Sequence, residues 1–262
     1  MRRPDIKELL SQELQHPFHQ NPDAWLDAHP TEIAGCFPDD GILTLRVPGS
    51  GLLRPKEEWI RSLAEYMMDI ASRSGTTAKL LLESHPWCGA AKLHFGADVP
   101  SDEKACEAIK IMTKDLREIG VDASYEGDSA MNGTRRSPAT LCVTIDCTKG
   151  RLRRPPVRSF VVNSPDGRGI TDDALLALTI SAGENSYGSL LVGTPFTFLI
   201  FADPDDIEGS ERIMVEIGTR AEKFRSEGVD VRIVRRVAPP AATRAVPSHS
   251  ILVKCIDERI LP

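Results

Sequence analysis

Cysteine is scarce in this chain, with six in 262 residues at irregular spacings. That excludes a disulfide scaffold, which needs a dense framework of bridges. Reduced thiols are the expectation, and Cys36, Cys106, Cys142 and Cys147 stand in contexts ordinary for buried or surface thiols. Long apolar runs are missing too. Nothing approaches the roughly 20 residues of a membrane-spanning helix, and the longest candidate, 189–202, contains Gly193 and Pro195 and reads as a buried strand. There is no basic excess: a net charge of −6 and a pI near 5.6 argue against a nucleic-acid surface, which must meet phosphates with clustered cations. The densest basic run, 149–158, has prolines inside it and reads as a solvated loop. The N-terminus has two arginines with no apolar core behind them, unlike a secretory signal, so a cytoplasmic location is the default. No internal repeat or low-complexity block is visible.

What is present is a balanced composition, 41% hydrophobic and 27% charged, long enough for one large α/β domain or two small ones. Residues 1–40 read as a helical arm followed by loop, with Ile6, Leu9, Leu10 and Leu14 at helical spacing and a stretch rich in turn formers and histidine. His16, His19 and His29 crowd that stretch and read as solvated loop histidines, with extra metal ligation or proton shuttling as the alternatives. From residue 41 onward strands and helices alternate. Strands are expected over 77–83, 121–125, 139–146, 159–163, 193–202, 229–235 and 250–254, with another beginning near 41. Helices are expected over 56–74, where Trp59, Leu63, Tyr66, Met67 and Ile70 share a face, and over 102–120 and 207–228. Residues 172–182 fit either a helix or a strand, while 128–138 and 238–247 read as loops. The alternation implies a mainly parallel β-sheet flanked by helices, formed by a single α/β domain over 41–262.

Two short segments share one geometry: each is an apolar strand that ends in a cysteine-bearing turn. One delivers His85 and Cys88 in HPWCG, the other Cys255 in CIDER. Ligand sites in open α/β sheets lie at the C-terminal ends of strands, so two such ends on neighbouring strands could converge. Two thiolates and an imidazole form a soft, mixed donor set suited to zinc, and three protein ligands leave a fourth position open, as in catalytic sites. Sulfur sits about 2.3 Å and imidazole nitrogen about 2.0–2.1 Å from such an ion. Residues 250–254 must therefore lie inside the sheet beside 77–83.

These motifs resemble those of the β-class carbonic anhydrases, in which one strand ends in Cys-x-Asp-x-Arg, a second in an Arg-x-x-Gly-type loop and a third in His-x-x-Cys-Gly. Here CIDER occupies 255–259, RVPGSG 46–51 and HPWCG 85–89, so the resemblance covers roughly 41–95 and 250–260. The order departs from the family, because the Cys-x-Asp-x-Arg strand comes last, as in a circular permutant. Pro86 and Trp87 also replace the small polar residues usual between the histidine and cysteine, and Glu258 replaces a common serine.

The resemblance implies Zn2+ held by Cys255, His85 and Cys88, with water as fourth ligand, and carbon dioxide and bicarbonate as the small molecules interconverted. It implies that Asp257 accepts a proton from that water and that Arg259 fixes Asp257 by paired hydrogen bonds. Arg46 and Gly49 match the second loop, where a structural role is the alternative. It further implies a homodimer or higher even oligomer, with no nucleic-acid or membrane partner. Two other functions fit the same motifs. One is hydrolysis of a related small electrophile such as carbonyl sulfide or carbon disulfide, and the other is a zinc-stabilised protein without catalysis.

Overall fold

The computed structural model describes residues 5–37, 43–75, 77–84, 89–96, 101–126, 139–183, 186–239 and 250–254. The segment expected as arm and loop forms four helices: α1 Ile6–Gln15, α2 Pro17–Gln20, α3 Pro22–Ala28 and α4 Pro30–Gly35. The prolines that read as turn formers start helices. Pro17, Pro22 and Pro30 each sit in the first turn, where a missing N–H costs nothing and the fixed φ suits the helix. The His16 ring nitrogen accepts from the Phe18 N–H at 3.3 Å, and the Asn21 side chain accepts from Ala24 at 3.1 Å. Both therefore cap helix starts.

Beyond this segment lie β1 Leu43–Arg46, α5 Lys56–Ser74, β2 Lys79–Glu83, α6 Gly89–Phe95, α7 Ser101–Glu118 and β3 Ala123–Glu126. Helix α5 ends at Gly75, whose φ of 67° is the left-handed turn that favours glycine. The chain continues through β4 Cys142–Asp146, β5 Phe160–Val162, α8 Ile170–Ala182, β6 Pro195–Ala202, α9 Ile207–Arg220, α10 Glu222–Ser226, β7 Asp230–Val237 and β8 Ser250–Lys254. The ambiguous stretch at 172–182 is helical: α8 buries Ala174, Ala177 and Leu178 at helical spacing. The apolar run at 189–202 is a strand only from Pro195, because residues 188–191 form a 3-10 turn.

The architecture is α/β, with parallel strands flanked by helices. Among the described residues the strands form two four-stranded sheets, in the orders β1-β8-β2-β3 and β5-β4-β6-β7. β8 pairs in parallel with β1 on one side and β2 on the other, the place expected for 250–254. Counting β8 ahead of β1 gives both sheets the same order: second strand, first, third, fourth. In sequence, however, β8 stands at the far end of the chain from the rest of its sheet. β6 is buried along nearly its whole length. Phe198 and Ile200 face the core shared with α8 and the first sheet, whereas Leu199 and Phe201 face Phe18, Trp25 and Phe37 of the N-terminal segment. Such a doubly covered strand is apolar on both faces.

The sheets meet where β1 approaches β5. The Thr44 N–H donates to the Gly150 carbonyl at 2.7 Å, and the Asn163 N–H donates to the Arg46 carbonyl at 3.0 Å. Asn163 Nδ2 donates to the carbonyl of Thr44 and to Asp146 Oδ2, both at 2.9 Å. The basic run at 149–158 is not simply solvated: Leu152, Pro155 and Val157 are buried. In addition, Arg158 pairs with the buried Glu13 of α1.

His19 is buried, not a solvated loop residue, and its Nδ1 has no hydrogen-bond partner. Burial, followed by His16, Arg158 and Arg232, lowers its pKa to about 4. The folded state therefore holds His19 neutral while the unfolded chain titrates near pH 6.5. The stability this contributes is complete above about pH 6.5 and is lost as pH falls toward 4, a change of about 3 kcal/mol. The urea midpoint is expected to fall over this window, and less steeply in His19→Phe; equal slopes would contradict the assignment. Deleting 250–262 removes a strand paired on both sides and is expected to give insoluble or unfolded protein by expression and circular dichroism. A soluble truncation with native ellipticity would show β8 to be peripheral.

Candidate metal centre

The expected ligands His85, Cys88 and Cys255, with Asp257 and Arg259, lie outside the described residues. The strands that lead into them are described. β2 and β8 are parallel neighbours with Leu82 opposite Val253, and neighbouring strands run about 4.8 Å apart. The chain therefore leaves β2 toward His85 and β8 toward Cys255 from adjacent ends of one sheet. β1 ends on the other side of β8, with Arg46 opposite Lys254.

The loop after β1 packs against the end of β2. Residues 49–51 all have positive φ, with Gly49 at 57°, Ser50 at 54° and Gly51 at 100°. Ser50 is fully buried, and its hydroxyl donates to the Glu83 carbonyl at 2.5 Å, two residues before His85. Its own carbonyl accepts from Trp59 Nε1 at 3.1 Å. A Cβ at Gly51 would lie 2.1 Å from that same indole nitrogen, so the close approach of Trp59 requires glycine there. A Cβ at Gly49 would come within 3.2 Å of the Ala90 side chain at the start of α6. The loop is thus wedged between α5, the end of β2 and α6.

Ser84 closes β2 and is buried. Its hydroxyl lies 2.7 Å from the Tyr125 hydroxyl and 3.1 Å from Cys106 Sγ. Burial raises the Tyr125 pKa first, and contact with Cys106 adds to it, so the phenol stays protonated at neutral pH. Sequence reasoning missed Ser50, Ser84, Cys106 and Tyr125, because their contacts bridge 33, 22 and 41 residues of chain and leave no local pattern. Arg46 is structural: it is buried, and its guanidinium donates to the carbonyls of Leu152 and Arg153, both at 2.9 Å. Among the described residues no group of three His, Cys, Asp or Glu side chains is arranged to hold a metal, the N-terminal histidines included. No helix among them is long and apolar enough to cross a membrane.

Comparison with protein-family models, curated proteins and solved structures returns no significant match.

Ser50 combines a left-handed backbone, costing about 1–2 kcal/mol for a residue with a Cβ, with a buried hydrogen bond contributing about 1 kcal/mol. Ser50→Gly removes both and is expected to leave stability within about 1 kcal/mol of the parent, whereas Ser50→Ala keeps the strain and loses the bond. Denaturant midpoints are therefore expected to place the alanine variant below the glycine variant. The reverse order would remove strain from the account.

Proposed function

We propose that this chain binds one zinc ion through Cys255, His85 and Cys88 and interconverts carbon dioxide and bicarbonate, as a circularly permuted relative of the β-class carbonic anhydrases. The observation that carries the reading is the parallel pairing of β8 with β2. It brings together two strand ends, 83 and 254 and so about 170 residues apart in sequence, that lead into the three expected ligands. The order β1-β8-β2 also sets the strand leading into CIDER between those leading into RVPGSG and HPWCG. A donor set of two thiolates and one imidazole fits zinc and leaves a fourth position open.

When bound, zinc acts as a Lewis acid that makes a coordinated water acidic near neutral pH. The protein's own groups do the rest. Asp257 would accept the proton, and Arg259 would hold that carboxylate by paired N–H donors. The Ser84–Tyr125–Cys106 contacts and the Ser50 bond to Glu83 fix the end of β2, from which the chain leads on to His85.

Purified protein is expected to contain about one zinc per chain by atomic emission and to hydrate carbon dioxide in a stopped-flow assay. Cys88→Ser is expected to lose most of the metal. Asp257→Asn is expected to keep it while hydration falls by about 10–100-fold. Zinc without hydration would leave carbonyl sulfide or carbon disulfide turnover, or a zinc-stabilised protein without catalysis, as the function. Zinc-free protein would overturn the reading.

A further inference from the structure

The shared strand order of the two sheets extends to register. Lys254 and Asp146 close the equivalent strands β8 and β4, and aligning them sets Ile251 against Val143. Ile251 pairs with Leu43 and Leu80, and Val143 pairs with Phe160 and Phe198. Leu43 therefore corresponds to Phe160, and Leu80 to Phe198. The side-chain direction agrees: Leu43, Leu80 and Ile251 lie in one core together with Phe160, Phe198 and Val143. The helices agree as well, since α5 and α8 follow the equivalent strands β1 and β5, and α6 and α9 follow β2 and β6.

Carried past the strand ends, the alignment matches residues that played no part in setting it. Pro48 falls on Pro165, Pro86 on Pro204, Cys255 on Cys147 and Arg259 on Arg151. Arg46 falls on Asn163, and these two bond to each other across the seam: the Asn163 N–H to the Arg46 carbonyl, and the Arg46 N–H to Asn163 Oδ1 at 2.5 Å. A residue that bonds its own counterpart is the signature of a two-fold contact.

We infer that the chain is an internal duplication folded as its own pseudo-dimer, and that Cys147, Asp203 and Asp206 are a second, silenced copy of the metal site proposed at Cys255, His85 and Cys88. The inference rests on that reading for the identity of the ligands, but the duplication itself stands on topology and register. In the second copy the positions of His85 and Cys88 carry carboxylates, and each is occupied locally. Asp206 accepts from the Gly209 N–H at the start of α9 at 2.9 Å, and Asp203 accepts from the Asp205 N–H at 3.0 Å. Cys147 is tied to the same strand end by its N–H, which donates to the Phe201 carbonyl at 3.0 Å. At the position of Asp257 stands Lys149, so the proton acceptor is missing from this copy as well.

The test restores the donors. Zinc per chain is measured by atomic emission, and cobalt(II) absorption bands report thiolate ligation. Asp203→His with Asp206→Cys is expected to add one metal ion per chain over the parent, and adding Cys147→Ser is expected to abolish that gain. A folded double variant with no added metal would overturn the inference. Because the substitution at Asp206 removes a helix cap, a reciprocal variant is made in parallel: His85→Asp, Trp87→Asp and Cys88→Asp together, which writes the second turn into the first copy. It is expected to stay folded by circular dichroism and to lose the parent's zinc. Unfolding of this variant while Cys88→Ser remains folded would count against equivalence of the two turns. A zinc-free parent whose Asp203→His, Asp206→Cys variant gains one Cys147-dependent ion would sink the zinc reading of the native site and leave the duplication standing. One ion in both parent and variant would uphold the native site and overturn the silenced second copy.

Discussion

A fully buried carboxylate, Asp146, holds the two sheets together. It accepts from the backbone N–H groups of Thr148 and Gly150 at 2.9 and 3.1 Å and from Asn163 Nδ2 at 2.9 Å. Asn163 in turn donates to the Thr44 carbonyl, so one charge at the end of β4 shapes its own loop and reaches the first sheet. Buried N–H groups left without such an acceptor each cost about 1–3 kcal/mol, which makes this loop conformation strongly preferred. The same loop presents the carbonyls of Leu152 and Arg153 that receive Arg46. A second tie, Arg54 to Asp173 at 2.5 Å, joins the residue two before α5 to the first turn of α8. Burial lifts Asp173 to about 6 against the pull of Arg54.

This seam fixes the edge strand β1, and β1 and β2 together make the slot that β8 fills. The chain leaves a parallel sheet at strand C-termini, so every loop bearing a candidate ligand emerges at one end. The wedge at Ser50 and the hydroxyl contacts of Ser84 then hold the end of β2 from two sides. This end of the sheet is held by a frame whose parts are distant in sequence.

Much of the frame was legible in the sequence, because hydrophobic period and helix stops are local signals. Helix α5 runs over the span its apolar face and Gly75 imply, and β8 lies beside β2, where 250–254 was expected. Proline misled in the N-terminal segment: Pro17, Pro22 and Pro30 signal turns by composition but start helices by position. The burial of His19 could not be read locally, since its neighbours come from the other end of the chain: Arg232 donates to its carbonyl at 3.1 Å. The duplication escaped for a different reason. Its copies agree in strand order and register, while few of their residues are identical.

The position of β8 in the chain also has a consequence during synthesis. β1 to β7 all precede it, so the second sheet can pair completely on a growing chain, whereas the first waits with β1 and β2 holding open a gap one strand wide. Closing that gap joins residues separated by most of the chain, a slow step because loop closure precedes its reward. Until then two apolar strand edges face solvent, inviting other extended chains to take the place of β8. The nascent protein is thus most vulnerable to aggregation just before residues 250–254 emerge from the ribosome.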